Sequence, residues 1–551
     1  MNKAKYLNDL LTSFESEDII SNKIQPLTYD IIGSSTFLQQ HAYLSKLNMQ
    51  EVKNILTGGE DLIMTQFIDH EKLIPLIHDI FLMNSFKLTI FPEIKKQIAN
   101  LSSIKSYLML YHEAVLCNLL ENFLYSITAC EAADEYIVDI IEYAYNMISK
   151  WINFKMKKND EEIWEIEKKS NLDMKIVAEK IKNNSKNQEE NEKELDQKNI
   201  EINFGIAMSC INILRYISDH LEQLAFPVRY HMMNIKDVPI LFVTLMEMKP
   251  WQRKYYVKDK ETNKEKEMIE YYENNNWVEK SSLQHKIPKL EIQIWITIYN
   301  LCMSQENNKK YEITEYRQNS LLRLRKFFST ELYDQIPQMN NLYRSLEEMS
   351  LMTFPTNPTK NEFVIEMIPK LTNSKEFKLN KEEIDKISKK ILKDYFLNLT
   401  PEILRKELEP INEIYSIDNM EYFMDDPKCA NCGKNATSRC SRCKSEWYCS
   451  KECQIKRWKV HKELCKTLSE LFKEDEENKK KKEFNDVKIK KEEKKIEENE
   501  KLNTNKIKIE DVTEKNKIKE NDTKEKNDNQ EIIQFKIDNN KKEDNNLNDI
   551  D

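Results

Sequence analysis

Glycine is almost missing from this chain, with five in 551 residues. Turn-dependent β architectures use glycine's left-handed backbone, and loops that cradle phosphate need it for close approach, so both classes are poorly supported. No Gly-x-Gly, Walker A, Gly-x-Ser-x-Gly, His-Glu-x-x-His or His-x-Asp sequence occurs. The common signatures of nucleotide binding, serine hydrolysis, zinc proteolysis and iron oxygenation are therefore absent. Long apolar runs are missing too: the longest, residues 239–246, is far too short to span a bilayer. Residues 1–14 carry Lys3, Lys5 and Asp9 with no apolar stretch, so they do not read as a secretory leader. A soluble intracellular protein without membrane association is expected. A net charge of −9 and a pI of about 5.7 weigh against nucleic acid as a partner of the whole chain.

Cysteine, by contrast, is concentrated. Seven of the 11 cysteines fall within residues 429–465, spaced Cys429-x2-Cys432-x7-Cys440-x2-Cys443-x5-Cys449-x3-Cys453-x7-His461-x3-Cys465. Eight ligands suit two zinc ions, each four-coordinate and closed, which is the structural rather than the catalytic arrangement. The Cys-x2-Cys pairs fit tight knuckle turns, and the pairs Cys449/Cys453 and His461/Cys465 are spaced to share one face of a short helix. An interleaved pairing puts Cys429, Cys432, Cys449 and Cys453 on one ion and Cys440, Cys443, His461 and Cys465 on the other; spacing alone also permits sequential sites. A disulfide framework is the alternative, disfavoured in a reducing compartment. The segment has little core, so its folding is expected to depend on metal. From 428 to 466 there are 11 Lys/Arg against three Glu, a formal +8, or +5 with seven thiolates and two zinc ions counted. The remaining Cys117, Cys130, Cys210 and Cys302 lie in apolar surroundings and read as small buried hydrophobes.

The rest of the chain predicts a mainly α protein, an irregular α-solenoid-like array of helices ahead of the finger. Residues 1–152 and 201–415 form its two parts. Val115, Leu116, Leu119, Leu120, Phe123, Leu124 and Ile127 recur at helical spacing over residues 111–127, as do Cys210, Ile213, Leu214, Ile217, Leu221 and Leu224. Pro75 and Pro92 mark helix starts or breaks, and Gly58-Gly59 marks a helix end. Residues 258–280 read as a loop or short hairpin. Ile292, Ile294, Ile296 and Ile298 alternate as a strand would, yet Trp295, Tyr299 and Cys302 extend a helical stripe, and a helix is favoured. Residues 321–336 predict one helix. His112-Glu113 reads as a helix start with a capping or surface role, and His41, His78 and His220 read as structural. The charged insert 153–200 reads as solvated and partly helical and the acidic stretch 416–428 as a linker, while the Lys/Glu/Asn-rich tail 472–551 lacks the apolar content to offset ordering entropy and is expected to be disordered. The basic run 479–482 matches a nuclear signal only as such a composition would by chance.

The ligand spacing and its intervening residues resemble a MYND-type zinc finger. That resemblance implies a small module binding short proline-containing peptides, with Gln454 and Trp458 in its groove; Trp458 can equally cap the small core, and Trp447 and Tyr448 read as packing. MYND fingers also occur in SET-type lysine methyltransferases. Those need a Gly-x-Gly cofactor turn and an Asn-His pair, and this chain has neither.

Further stretches carry a more specific resemblance. They are Gln39-Gln-His-Ala-Tyr-Leu-Ser-Lys-Leu-Asn-Met-Gln50, His112-Glu-Ala-Val-Leu-Cys-Asn-Leu-Leu-Glu121, Leu214-Arg-Tyr-Ile-Ser-Asp219 and Gln293-Ile-Trp-Ile-Thr-Ile-Tyr-Asn-Leu301. To these are added Leu321-Leu-Arg-Leu-Arg-Lys326, Asp334-Gln-Ile-Pro337 and Cys440-Ser-Arg-Cys-Lys-Ser-Glu-Trp-Tyr-Cys449. Over roughly residues 30–466 the chain is similar to a family of MYND-finger assembly factors for axonemal dynein arms, departing from it in the insert and the tail. The resemblance implies a non-enzymatic cytoplasmic adaptor, near basal bodies or centriolar satellites. The partners it implies are dynein heavy and intermediate chains, a leucine-rich-repeat assembly factor, an Hsp90-type chaperone and an FK506-binding co-chaperone. The competing expectation is a nuclear co-regulator that recruits proline-containing partners.

Overall fold

The computed structural model describes residues 10–157 (except 102), 188–258, 265–273, 276–279, 286–304, 311–351 and 366–414 (except 398). Within the finger it describes residues 429, 431–432, 436, 438–442, 447–458, 461–462 and 465–466. The chain divides after Phe423 into two units. The linker 416–428 and the tail 472–551 lie outside the described residues, as do residues 158–187 of the insert.

The first unit is an irregular helical array. Its helices are α1 (Ser13–Asp18), α2 (Ser35–Thr57), α3 (Leu62–Asp69), α4 (Leu73–Thr89), α5 (Phe91–Leu101), α6 (Ser103–Phe123), α7 (Ile127–Ala132), α8 (Ile137–Lys157) and α9 (Gln188–His220). They continue with α10 (Phe226–Tyr230), α11 (Val238–Met248), α12 (Lys289–Met303), α13 (Glu315–Leu322), α14 (Thr330–Gln335), α15 (Met339–Ser350), α16 (Lys370–Asn373), α17 (Lys381–Ile391) and α18 (Pro401–Ile414). Local chemistry sets their ends. The Ser34 side chain accepts from the Phe37 N–H at 3.1 Å and starts α2, and Gly58, at φ +66°, ends it in the left-handed conformation that glycine adopts without strain. Pro75 and Pro92 each sit in a first turn, where a missing N–H costs nothing.

Helix α9 is the hub, packed against α5, α6, α8 and α12. Its stretch Asn191–His220 is long and apolar enough by length and composition to cross a membrane. Here Ile206, Cys210, Ile213, Leu214 and Ile217 are buried in the common core. Helices α8 and α9 run into the expected insert from either side. The Lys155 ammonium donates to the carbonyls of Met248, Lys249 and Gln252 at 3.1, 3.2 and 3.3 Å, placing a cation at the C-terminus of α11. The end of the array folds back on its beginning. Helix α18 packs on α2, and the buried Lys105 ammonium on α6 binds the Glu407 carboxylate at 2.9 Å and the Tyr395 carbonyl at 3.1 Å.

The loop or short hairpin read over 258–280 is a hairpin of β2 (Glu265–Glu273) and β3 (Asn276–Glu279), which β1 (Gln252–Lys258) extends into a three-stranded antiparallel sheet in the order β1, β2, β3. The sheet is fixed by aromatic pairing: Tyr272 lies opposite Trp277, Phe204 of α9 stacks on Trp277 at 5.5 Å, and the Arg253 guanidinium covers that indole at 4.3 Å. The single helix expected over 321–336 is interrupted because Ser329, accepting from the Leu332 N–H, caps a new helix after a 3₁₀ turn at Arg323–Phe327. The stripe read over 111–127 is likewise divided, α6 ending at Phe123 and Ser126 capping α7.

A further change is chemical. His112 and Glu113 lie in the middle of α6 and are fully buried, not capping or at the surface. Glu113 accepts from the Tyr143 hydroxyl at 2.6 Å and the Asn84 amide at 2.9 Å, and it pairs with the Lys87 ammonium at 2.8 Å. His112 faces His41 of α2, Nδ1 to Nδ1 at 2.9 Å, so one ring donates and the other accepts. Both rings are neutral. Burial pushes His41 down to about 4 and His112 well below its ordinary value, the latter also by the proximity of His41.

This pair gives the array an acid sensitivity of definite sign. Unfolded histidines take up protons near pH 6.5 while the folded pair does not, so its stability is fully present above about pH 6.5 and falls as the pH drops toward 4. Each ring contributes at most about 1.4 kcal/mol per pH unit, so the pair should cost about 4 kcal/mol by pH 5 in urea unfolding. His78, raised by its hydrogen bond to Asp79 despite burial, acts in the opposite direction. Comparison with His112→Phe isolates the pair: this variant should show about half the pair's contribution to the pH slope, and an unchanged slope would exclude the buried pair as its source.

Candidate metal centre

The second unit builds its site from short local elements. Strands β4 (Ser438–Arg439) and β5 (Trp447–Tyr448) pair antiparallel and bring Cys440 and Cys449 to the ends of one ribbon. Residues 451–458 are helical, and Ser450 caps them, its hydroxyl accepting from the Cys453 N–H at 3.4 Å. Cys449 thus precedes the helix instead of sharing its face with Cys453, because the cap intervenes between them.

Two donor sets result. The Sγ atoms of Cys429, Cys432, Cys449 and Cys453 all lie within 4.8 Å of one another. The sulfur–sulfur separations are 3.4 Å for Cys432–Cys449, 3.6 Å for Cys449–Cys453 and 3.8 Å for Cys453–Cys432. Tetrahedral zinc with bonds of about 2.3 Å requires sulfurs about 3.8 Å apart, whereas a disulfide requires about 2.05 Å, so the set fits the ion. Cys440, His461 and Cys465 form the second set, with Cys440–Cys465 at 3.8 Å and His461 Nε2 at 3.4 Å from the Cys440 sulfur. Cys443, expected to complete it, lies outside the described residues. The grouping is interleaved and not sequential, which spacing alone left open.

The electrostatics also suit a cation. The Cys449 thiol is pushed up to about 12 by the facing sulfurs of Cys432, Cys453 and Cys429, so these thiols resist ionising together without positive charge among them. Burial opposes the Cys429 thiolate, but the N–H groups of Cys449, Asn431 and Cys432 outweigh it and draw this thiol down to about 6. The other cysteines behave differently. Cys117, Cys130 and Cys210 are buried in the hydrophobic core of the array, Cys302 is half-buried against it, and burial raises all four thiols.

Around the donors, Tyr448 is buried and meets the His461 ring edge-on at 6.2 Å. Trp458 also meets His461, at 5.9 Å, yet remains 37% exposed, so it both packs and presents a face. Gln454 is half-buried one turn earlier on the same helix, and Ile455 beside it is exposed. Arg439 covers the Trp447 ring at 5.3 Å, a contact the sequence pattern gave no reason to expect.

Residues 429–465 match the MYND finger family. The chain carries a MYND finger, and the donor chemistry makes it a zinc-binding one. The likeness extends well beyond the MYND finger. The chain is 26% identical over 469 residues to the zinc finger MYND domain-containing protein 10 homolog of Drosophila melanogaster, covering 80% of this chain and 96% of that protein. Shorter matches include a SET and MYND domain-containing protein of Dictyostelium discoideum, 45% identical over 51 residues, 8% of this chain and 9% of the relative. Tudor domain-containing protein 1 of Mus musculus is 31% identical over 88 residues, 15% of this chain and 8% of the relative. No solved structure matches the chain. The likeness to the SET and MYND domain-containing protein covers 51 residues, whereas the likeness to the MYND domain-containing protein 10 homolog runs over 469.

Proposed function

We propose that this chain is a non-enzymatic adaptor for the cytoplasmic assembly of axonemal dynein arms, needed for ciliary or flagellar motility. The observation that carries the reading is likeness to a MYND domain-containing protein 10 homolog along nearly that protein's whole length, array and finger together. The array offers a large stable surface, and the finger a compact module with a partly exposed tryptophan. The finger holds two zinc ions, one on Cys429, Cys432, Cys449 and Cys453 and one on Cys440, Cys443, His461 and Cys465. Gln454 and Trp458 take a proline-containing partner peptide. The partners are dynein heavy and intermediate chains, a leucine-rich-repeat assembly factor, and an Hsp90-type chaperone with an FK506-binding co-chaperone, met in the cytoplasm near basal bodies or centriolar satellites.

The test is genetic and structural. Flagellated cells lacking the protein should build axonemes without dynein arms in electron micrographs, while tubulin doublets remain. Re-expressed Trp458→Ala should fold and bind zinc yet restore arms poorly. Normal arms in the null cells would end the proposal, and a Trp458→Ala finger that fails to hold zinc would make this indole a packing residue instead.

A further inference from the structure

A cleft of about 360 Å³ opens between α4 and α8, far in sequence from the finger and closed at one end by α16 and Phe377. Its volume falls within the range of ligand sites, roughly 300–1,000 Å³. The two walls differ in chemistry. On one side Phe81 and Leu88 of α4, with Phe377, present an apolar surface, Leu88 being 58% exposed. Facing them, α8 presents Asn146, Ser149, Lys150 and Asn153, one face of the helix by their spacing.

Solvated polar faces are common, but two features make this one a recognition surface. Lys150 is the one charged side chain lining the cleft, and among the described residues no carboxylate pairs with it. The nearby buried carboxylate, Glu113, is already held by Lys87, Tyr143 and Asn84. The cleft therefore offers an uncompensated cation beside an apolar wall. Asn146 and Asn153, seven residues apart on α8, stand about 10.5 Å apart along the axis. Three residues of extended peptide span about 10 Å. Carboxamides both donate and accept, as peptide groups do, and neither of these has a partner among the described residues.

The roof is fastened independently. The Asp139 carboxylate accepts the backbone N–H groups of Lys370 and Thr372, both at 2.8 Å, and the Ser85 hydroxyl donates to the Phe377 carbonyl at 3.1 Å. Thr372 Oγ1 is buried in this roof without a hydrogen-bond partner.

We propose that the α4–α8 cleft binds an extended segment of a partner protein in which an acidic residue lies next to an apolar one. Asn146 and Asn153 hold its backbone, the apolar side chain rests on Phe81, Leu88 and Phe377, and the carboxylate pairs with Lys150.

The test uses the zinc-loaded full chain to select from a random heptapeptide library displayed on phage, beside Lys150→Glu. Lys150 and Asn153 are exposed, so their variants should keep wild-type helicity and melting. Selection on wild type should enrich peptides with an acidic residue beside an apolar one, and Lys150→Glu should lose that enrichment. The leading peptide, labelled with fluorescein, should bind Lys150→Glu or Asn146→Leu/Asn153→Leu at least 10-fold more weakly by anisotropy. Enrichment without acidic residues, or equal binding to wild type and Lys150→Glu, would overturn the assignment. Peptides lost only in Trp458→Ala would belong to the finger and would equally count against the cleft.

Discussion

Stripping zinc with a strong chelator should unfold residues 429–465 and leave the helical array with its cooperative melting intact. Among the described residues the finger's own buried core is Cys429, Ala436, Cys440, Tyr448 and Cys465, so three of these five are expected ligands. Structural zinc supplies on the order of 10–16 kcal/mol in such small modules, and a core of this size has nothing comparable. The array's core runs from Leu11 to Ile414 and includes no finger residue. Cys449→Ala should reproduce the effect without chelator. Proteolysis confined to the finger, with far-ultraviolet circular dichroism nearly unchanged, is the expected readout; joint melting of both units at a lowered temperature would show that they are energetically one.

The second large effect lies inside the array. Lys87→Met should destabilise it by about 3–5 kcal/mol, because it leaves the Glu113 carboxylate buried without its cation. The Lys87 and Glu113 side chains are 4% and 0% exposed, so solvent offers little screening. The methionine also abandons the Asn203 side-chain amide oxygen, to which the Lys87 ammonium donates at 2.7 Å. Adding Glu113→Gln should return at least half the loss, since a neutral amide still answers Tyr143 and Asn84. Urea unfolding measures both. A single Lys87→Met variant within about 1 kcal/mol of wild type would mean that the pair contributes far less than its burial suggests.

Which features the sequence announces follows from how local their causes are. Zinc ligation declares itself because its donors must recur at short fixed spacings, and the helices of the array declare themselves through stripes such as Cys210 to Leu224. Caps are equally local, as Gly58 illustrates. The interleaved grouping of the donors was not local, since it needs Cys432 beside Cys449 across the ribbon. The burial of His112 and Glu113 was not local either: the hydrogen-bond partners His41 and Tyr143 lie 71 and 30 positions away, on α2 and α8, and nothing in His-Glu itself signals that. Strand β2, rich in Glu and Lys, earns its place through Tyr272 and Trp277 packing on Phe204, again a tertiary cause.

The claim most exposed to test is the assembly role. Tagged full-length protein purified from the cytoplasm of flagellated cells should bring down dynein arm chains together with Hsp90-type chaperone, and Cys449→Ala should lose those partners that require the finger. A catch of nuclear repressor subunits, with neither dynein chains nor chaperone, would contradict the account and favour a co-regulator that uses the same MYND finger.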